Sequence, residues 1–434
     1  MHDIYANSGF QFFLFSLYLI AMVAYAFGGI SRLRKSKIAK EKNKKKIVII
    51  GAGAAGLSIA ARLARKAKQL AEVILVEPSK VHYYQPGFTY IGFGKLNPKL
   101  VSRPMQDLIP KGVKWIQNKA TGIDPITQTV TLSHKTIQYD QLVIATGLEL
   151  LWDKVIGLRQ ALGDPDSGVI SVCSLGNTKM AWEKVRKFSG GKILSTMPNT
   201  ETKCPGVLQK VLFLMCSIMK RLGGHCNFFI FSPKTDCAIG QPYRGYLEGE
   251  LMKMETEINY ESTLIEIRPA EKIAIFQKSD GRTYERSFDL LHVVPPMAAP
   301  DFLSNLADET GFVTVDPKTL QHKKYSNIFA AGDCAGIPTR KTAAAARKQG
   351  PLLVENLISI IKGEKMTADY NGYSCCPVPI VDGKILMMEF GYAGVMPGLL
   401  NKLVGVRPSR IMHFIKKHVI PKMYWHAMLK GIKI

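Results

Sequence analysis

The chain is short of acid. Against 58 lysines and arginines stand 34 aspartates and glutamates, a formal charge of +24 over 434 residues. It also lacks any stapling pattern of cysteines. The eight present (Cys173, Cys204, Cys216, Cys226, Cys237, Cys334, Cys375 and Cys376) are too scattered for a disulfide-built secreted scaffold. None shows the repeated C-x-x-C spacing of a zinc site, so no metal is expected. The basic excess also lacks the interleaved aromatics of a base-stacking surface. It gathers instead in two segments: nine Lys or Arg against Glu41 alone between Arg32 and Lys46, and eight with no acid after Glu389. Both lie beside strongly apolar sequence, which suits anionic lipid headgroups and excludes nucleic acid as the expected partner.

What is present is apolar mass. A hydrophobic content of 47% over this length predicts two cores, or one domain interrupted by another. Residues 9–30 run without a charge, long enough to cross a hydrocarbon core of about 30 Å as a helix. A signal peptide would carry its cations before the apolar run, whereas here Asp3 precedes it and the lysines come after. The expectation is a retained transmembrane helix, with the basic flank keeping the large domain on the positive-inside face.

Lys46-Ile-Val-Ile-Ile-Gly-Ala-Gly-Ala-Ala-Gly56 reads as a buried strand, a tight glycine turn and a helix, succeeded by a second strand that ends on Glu77. That order is what a dinucleotide site requires. Gly51 permits the turn, Gly53 lets backbone approach a pyrophosphate, Gly56 allows close helix packing, and Glu77 can accept ribose hydroxyls. Two later strands, Tyr139 to Gly147 and Ser326 to Asp333, end in Thr-Gly and Gly-Asp. They resemble the signature strands of two-dinucleotide-binding-domain flavoproteins, in which the Gly-Asp acid contacts the ribityl chain, so the resemblance implies non-covalent FAD. The predicted architecture is α/β: two Rossmann-like domains, the FAD domain discontinuous. Its parts are 1–45 (membrane anchor and basic linker), 46–152 (FAD domain), 153–299 (second Rossmann-like domain), 300–390 (FAD domain, second part) and 391–434 (membrane-associated, with amphipathic helices).

The second domain lacks a glycine fingerprint. After Gly191-Lys-Ile-Leu-Ser-Thr-Met-Pro198 comes Asn199-Thr-Glu-Thr-Lys-Cys204-Pro-Gly206, then an apolar helix from about Val207 to Leu222. A nicotinamide pyrophosphate would find no close backbone approach there. Cys204 precedes Pro205, and proline at a first helical position makes the cysteine a candidate cap, its thiol acidified by the helix dipole and by Lys203 and Lys210. A small buried hydrophobe is the other reading of the same residue. Cys375 and Cys376 adjoin, and a disulfide between neighbours would be strained. One of them is expected to face a distant partner, and Pro377 holds Cys376 extended.

Taken together, His82-Tyr-Tyr-Gln-Pro86, Pro198-Asn-Thr with Lys203-Cys204, Leu320-Gln-His322, Gly332-Asp-Cys334, Pro338-Thr with Lys341-Thr-Ala-Ala-Ala, Gly372-Tyr with Cys376-Pro377, and Tyr424-Trp with Met428-Leu-Lys-Gly431 resemble the sulfide:quinone oxidoreductases of mitochondrial type. The resemblance implies that Cys204 and Cys376 are the redox pair, with Cys375 outside the chemistry. Hydrosulfide would leave a persulfide on Cys376 and a thiolate on Cys204, the thiolate delivering electrons to the flavin. A small thiol such as glutathione, or sulfite, would take the sulfane sulfur, and ubiquinone the two electrons. The same resemblance places Gly53 and Ala54 at the pyrophosphate, Glu77 at the adenosine ribose, Ala120 at the adenine and Gln85 along the flavin. It counts Gly147 among the cofactor-binding residues and puts Asp333 by the ribityl chain, with Lys341, Thr342, Ala343 and Ala344 around the pyrimidine edge, where Lys341 could otherwise be a solvated loop charge. It implies a mitochondrial inner-membrane protein facing the matrix, or the cytoplasmic membrane of a prokaryote, and leaves room for a homodimer or a respiratory-complex association.

In Ser409 to Ile420, Ile411, Met412, Ile415 and Val419 recur at helical spacing with Arg410 and Lys417 off that face. An amphipathic helix lying on the bilayer, as a quinone portal, and a helix packed on the core both fit. Phe390 and Tyr392 are candidate quinone-stacking residues. The chain ends soon after Gly431, so the N-terminal helix is expected to replace anchoring at the C-terminus. An NADH:quinone oxidoreductase on the same scaffold, and a non-catalytic FAD-containing subunit of a respiratory assembly, are the alternatives.

Overall fold

The computed structural model describes residues 44–235, 239–380, 383–398, 401–402 and 405–432. The apolar segment 9–30, its basic flank up to residue 43, and Cys237 lie outside the described residues. Among the described residues no helix is long and apolar enough to cross a membrane.

The first unit begins with β1 (Lys45–Ile50), α1 (Ala54–Lys66), β2 (Ala71–Val76), β3 (Val113–Ile116) and β4 (Gln141–Ile144). The second contains β5 (Val169–Ile170), β6 (Gly191–Thr196), α2 (Val207–Leu222), β7 (Cys226–Phe231), β8 (Glu257–Asn259) and β9 (Leu290–Val293). The chain then returns through β10 (Ile328–Ala330) and α3 (Ala343–Lys362) to β11 (Ser374–Pro379), β12 (Ile385–Gly391) and β13 (Gly394–Val395).

The central strands are nearly continuous runs of Ile, Val, Leu and Phe, as strands covered on both faces must be. Ile47, Val48, Ile49, Leu142, Val143 and Ile144 are fully buried. Two five-stranded parallel sheets result, in the orders β10-β4-β1-β2-β3 and β5-β9-β6-β7-β8. Because β10 joins the first sheet from a point 184 residues beyond β4, that sheet is assembled from two stretches of chain. In open parallel sheets the ligand crevice lies at the carboxyl ends of the strands, and the chain closes with a third, antiparallel sheet in the order β11-β12-β13.

The antiparallel sheet has two dissimilar faces. Cys376, Val378, Leu386, Met388 and Phe390 pack with α2 of the second unit. Ile385 and Met387 pack with Met412 of the C-terminal helical run, with Cys375 beside them. Alternation along a strand therefore sends the two adjacent cysteines to opposite sides.

The C-terminal run is helical from Arg410 to Met428, but with two wide π turns, at Ile415–Val419 and Tyr424–Met428. A π turn carries an extra residue and rotates the helix beyond it. The predicted apolar face is split between the protein and solvent. Met412 and Lys416 turn inward, Ile415 is half-buried, and Ile411, Phe414 and Val419 are exposed.

Candidate functional site

The glycine turn after β1 has the shape its sequence requires. Gly51 has φ +95°, and an added Cβ would stand 2.5 Å from the Ala145 carbonyl oxygen. A Cβ on Gly56 would stand 1.9 Å from the Gly51 carbonyl oxygen, so α1 packs directly on the turn. Gly53 and Gly147, in contrast, have nothing within 4 Å of an added Cβ. Around them lie the amide groups that open α1 at Ala54, together with Glu77, whose carboxylate accepts from Ala52 N and Ser79 N at 2.8 Å each. Ala120 is buried at the start of an adjoining strand.

At the carboxyl end of β10, a narrow cleft is lined by Gly332, Asp333, Arg340, Lys341, Ala345 and Gln349. Burial pushes the Asp333 carboxyl above its usual range, with Lys341 and Lys203 pulling it back. Thr342 caps α3 by accepting from Ala345 N at 3.1 Å, so Ala343 and Ala344 form the half-buried first turn of a helix pointing its positive end into the cleft. Lys341 is no solvated loop charge. It is 5% exposed, donates to the Ala335 carbonyl at 3.2 Å, lies 3.6 Å from Glu201 and stacks over Phe312. Two unfilled glycine approaches, a helix N-terminus for each end of a dinucleotide and an acid between them fit FAD.

Cys204 reaches this cleft by a backbone route. Its N–H donates to the Lys341 carbonyl at 2.9 Å, and Lys203 and Lys341 pair as neighbouring strands do. Lys203 Nζ donates to Gln85 Oε1 at 2.8 Å, tying the same loop to the first unit. The cap expected at Cys204 is displaced. Gly206 is the N-cap of α2 and Pro205 precedes it, so Pro205 is not the first helical residue. Cys204 instead takes a left-handed conformation, φ +57°, and the helix begins only after the Gly206 cap. Such a conformation costs a non-glycine residue about 1 kcal/mol or more and requires surrounding structure to hold it. Here the hydrogen bonds on Lys341 and the turn from Val207 N to the Cys204 carbonyl at 2.9 Å do so.

Cys376 arrives from β11, facing α2, and its Sγ would stand 2.8 Å from a Cβ on Gly206. The missing side chain at 206 leaves the space in which the sulfurs of Cys204 and Cys376 meet as unbridged thiols. Cys204 is held well below the ordinary thiol range, first by a hydrogen bond from the Cys376 thiol, then by Lys210 and Lys416, against the opposing effect of burial. Cys376 is pushed well above it by donating that bond and by burial. Lys210 Nζ donates to Cys204 Sγ at 2.9 Å; burial works against its charge, but the two sulfurs hold its proton on. Cys375 lies on the other face, 3.3 Å from Met387 Sδ, pushed up to about 12 by burial and by Glu389.

Arg340 and Lys416 were not among the residues singled out from sequence. The Arg340 guanidinium stacks 3.5 Å over Phe390, on the Cys376 face of β12. Lys416 enters from the C-terminal run, buried near Tyr84 and Tyr90. Neither carries a local motif; each is placed by tertiary contact. Phe390 is buried in the α2 core against Tyr243, whereas Tyr392, 37% exposed, packs on Tyr370 and donates to the Pro317 carbonyl at 2.5 Å. The two rings are not brought to one pocket.

A thiol pair beside a FAD-fitted cleft, on two Rossmann-like units, defines an α/β flavoprotein of the disulfide-oxidoreductase type. Residues 45–167 match the family model of the pyridine nucleotide-disulphide oxidoreductases. The chain is 39% identical over 401 residues to the mitochondrial sulfide:quinone oxidoreductase of Dictyostelium discoideum, covering 90% of this chain and 87% of that protein. It belongs to the sulfide:quinone oxidoreductase family. Its fold is also that of a chain in the mitochondrial ATP synthase of Tetrahymena thermophila (TM-score 0.80, 20% identity, covering 90% of this chain and 96% of that one). The sulfide:quinone oxidoreductase of Aquifex aeolicus has the same fold (TM-score 0.75, 19% identity, covering 89% and 92%).

Proposed function

We propose that this chain oxidises hydrogen sulfide to sulfane sulfur through Cys204 and Cys376 and passes two electrons, by way of FAD, to ubiquinone. The observation that carries the reading is the meeting of the two sulfurs over Gly206 with Lys210 on Cys204. Oxidised, the pair is a disulfide. Hydrosulfide attacks the Cys376 sulfur, the S–S bond breaks, and Cys204 departs as a thiolate held by Lys210. The sulfur with the lower pKa is the better leaving group, which sets this direction. A thiolate such as glutathione, or sulfite, then attacks the outer persulfide sulfur, and Cys376 is released as a thiolate. When bound, FAD supplies the two-electron acceptor that allows the two thiolates to close again as a disulfide.

Gly53 and Ala54 would hold the pyrophosphate, Glu77 and Ala120 the adenosine, and Gln85, Gly147, Asp333 and residues 341–344 the flavin end. The family and its mitochondrial members support a mitochondrial location. An inner-membrane protein with its catalytic units on the matrix side accords with the basic flank after residue 31 and the exposed Ile411, Phe414 and Val419 beside Lys417. The test is sulfide-dependent reduction of a short-chain ubiquinone by the purified full-length protein, with Cys204→Ser and Cys376→Ser alongside. Loss of turnover in both variants is expected; full activity in either overturns the assignment of the pair.

A further inference from the structure

The C-terminal run carries a lysine where its sequence pattern calls for an apolar residue. Lys416 is 8% exposed, with its ammonium 5.7 Å from the ring centre of Tyr84 and 5.8 Å from that of Tyr90. It forms no ion pair and no hydrogen bond to an acceptor among the described residues. The hydroxyls of Tyr84 and Tyr90 are likewise buried without a partner, and Tyr84 is only 3% exposed. The ring faces attract the ammonium but accept no hydrogen bond from it, and burying donors without acceptors is costly, so a group of three donors without an acceptor is incomplete by itself.

The missing complement is an anion, and its neighbourhood indicates which kind. Lys416 is surrounded electrostatically by Tyr90, Lys210, Cys204 and Cys375; burial and Lys210 draw its pKa down, while Tyr90 and the two cysteines draw it up. Both tyrosines are held protonated by burial, which leaves them as donors. With Cys204 reduced, one thiolate faces Lys210 and Lys416. Once Cys204 is bridged to Cys376 that negative charge is gone, and the two ammonium groups that acted on it are left without it. The uncompensated state is therefore the oxidised one, the state into which an anionic substrate has to enter.

We propose that Lys416, Tyr84 and Tyr90, together with Lys210, form a receptor for a small sulfur anion beside Cys204, occupied by hydrosulfide on arrival or by sulfite as acceptor. The identity of the ligand rests on the sulfide-oxidising reading; the existence of the receptor does not. Lys416 supplies binding charge and needs to form no bond with sulfur.

The experiment uses the full-length, flavin-loaded, oxidised protein and bromide, a monovalent anion of hydrosulfide's size that cannot react. Calorimetric titration with bromide is expected to show Lys416→Met binding weaker by roughly tenfold or more, as loss of a charged hydrogen bond implies. Lys416→Arg keeps the charge and is expected to stay within about threefold of the parent, and Tyr90→Phe to weaken binding by about threefold. Methionine matches lysine in volume, and an unchanged Tm separates lost binding from lost fold. In turnover, a raised KM for sulfide with kcat retained assigns the receptor to hydrosulfide, and a raised KM for sulfite alone assigns it to the acceptor. Bromide binding that is absent from the parent, or equal in parent and Lys416→Met, overturns the proposal. A protein that binds bromide through Lys416 but turns over no sulfide retains the receptor and loses the sulfide reading.

Discussion

Lys210, on the first turn of α2, folds back to donate to Cys204 Sγ at 2.9 Å, while Cys376 approaches the same sulfur from the other side. The Cys204 sulfur accepts from both Lys210 and the Cys376 thiol, whereas Cys376 donates, and the pair is electronically unequal before any substrate arrives. Equivalent cysteines would offer attack on either sulfur. Here the more acidic thiol leaves and the other retains the incoming sulfur.

Replacing Lys210 with Met is therefore expected to raise the Cys204 pKa toward the ordinary thiol value near 9.0. A depressed pKa means thiolate above the depressed value, so the parent should alkylate with iodoacetamide well below pH 9 and the variant only at higher pH. Sulfide-driven flavin reduction at pH 7 should slow by about tenfold or more, the range for a charge-assisted hydrogen bond. An unchanged alkylation profile would remove Lys210 from this role.

Gly206 is the space the pair needs. An alanine Cβ would stand 2.8 Å from Cys376 Sγ and 3.3 Å from Val378 Cγ2, both on a strand with no room to recede. The φ at 206, −83°, is ordinary for alanine, so the backbone does not object. Gly206→Ala is expected to fold but to resist closing the disulfide. Thiol titration of the air-oxidised protein in denaturant should count two more free thiols than in the parent.

Cys375 faces Met387 and the C-terminal run, away from Cys204. A persulfide on Cys376 points to the other side of β11, and Cys375 is further disfavoured as a nucleophile by a pKa pushed up to about 12. Cys375→Ser should leave kcat and the KM for sulfide within about twofold, the usual effect of a substitution outside the reacting groups. A tenfold loss would show sulfur passing between adjacent cysteines.

Much of this arrangement is readable from sequence where it is local. The glycine turn, its strand and helix, and the Thr342 cap depend on neighbours within a few residues, and they form as their residues dictate. The meeting of Cys204 with Cys376 is not local, and only the family pattern joins positions 172 residues apart. The left-handed Cys204 was missed because cysteine carries no preference for that conformation; the Lys341 carbonyl imposes it. Lys416 was missed because its charge disguises an inward position: it stands one turn beyond Met412 on the buried face, and only the tertiary approach of Tyr84 and Tyr90 shows what it meets. Arg340 stands between Pro338-Thr and Lys341-Thr-Ala-Ala-Ala without being part of either, and its contact with Phe390 arises only when β12 returns.

The two glycines of the nucleotide turn should separate binding from folding. Gly53 has nothing near its missing Cβ, so Gly53→Val is expected to keep the Tm of flavin-free protein and to lose flavin, read as the 450 nm absorbance per chain, a rough cofactor constant. Gly56→Ala meets backbone at 1.9 Å and should destabilise by about 1–3 kcal/mol. If Gly53→Val retains stoichiometric flavin, the pyrophosphate lies elsewhere.

His292 gives the acid limb of the stability profile a named source. It is fully buried on β9, paired with Ser195 of β6, its Nδ1 2.8 Å from Ser195 Oγ and its Nε2 without a partner, and burial pushes its pKa down to about 3 from 6.5. The unfolded chain binds a proton at this residue below pH 6.5, whereas the folded chain does so only near pH 3. Between those values the unfolded state holds more protons, so stability is at its full value above pH 6.5 and falls as pH is lowered toward 3. His82, pushed down to about 4 by burial while it donates to the Ala52 carbonyl and accepts from Tyr424, adds a second contribution of the same sign. His292→Asn removes the first contribution. Its Tm, measured by calorimetry from pH 7 to pH 4, is expected to decline less steeply than that of the parent, whatever its value at pH 7. Parallel declines would mean that His292 is already protonated in the folded protein.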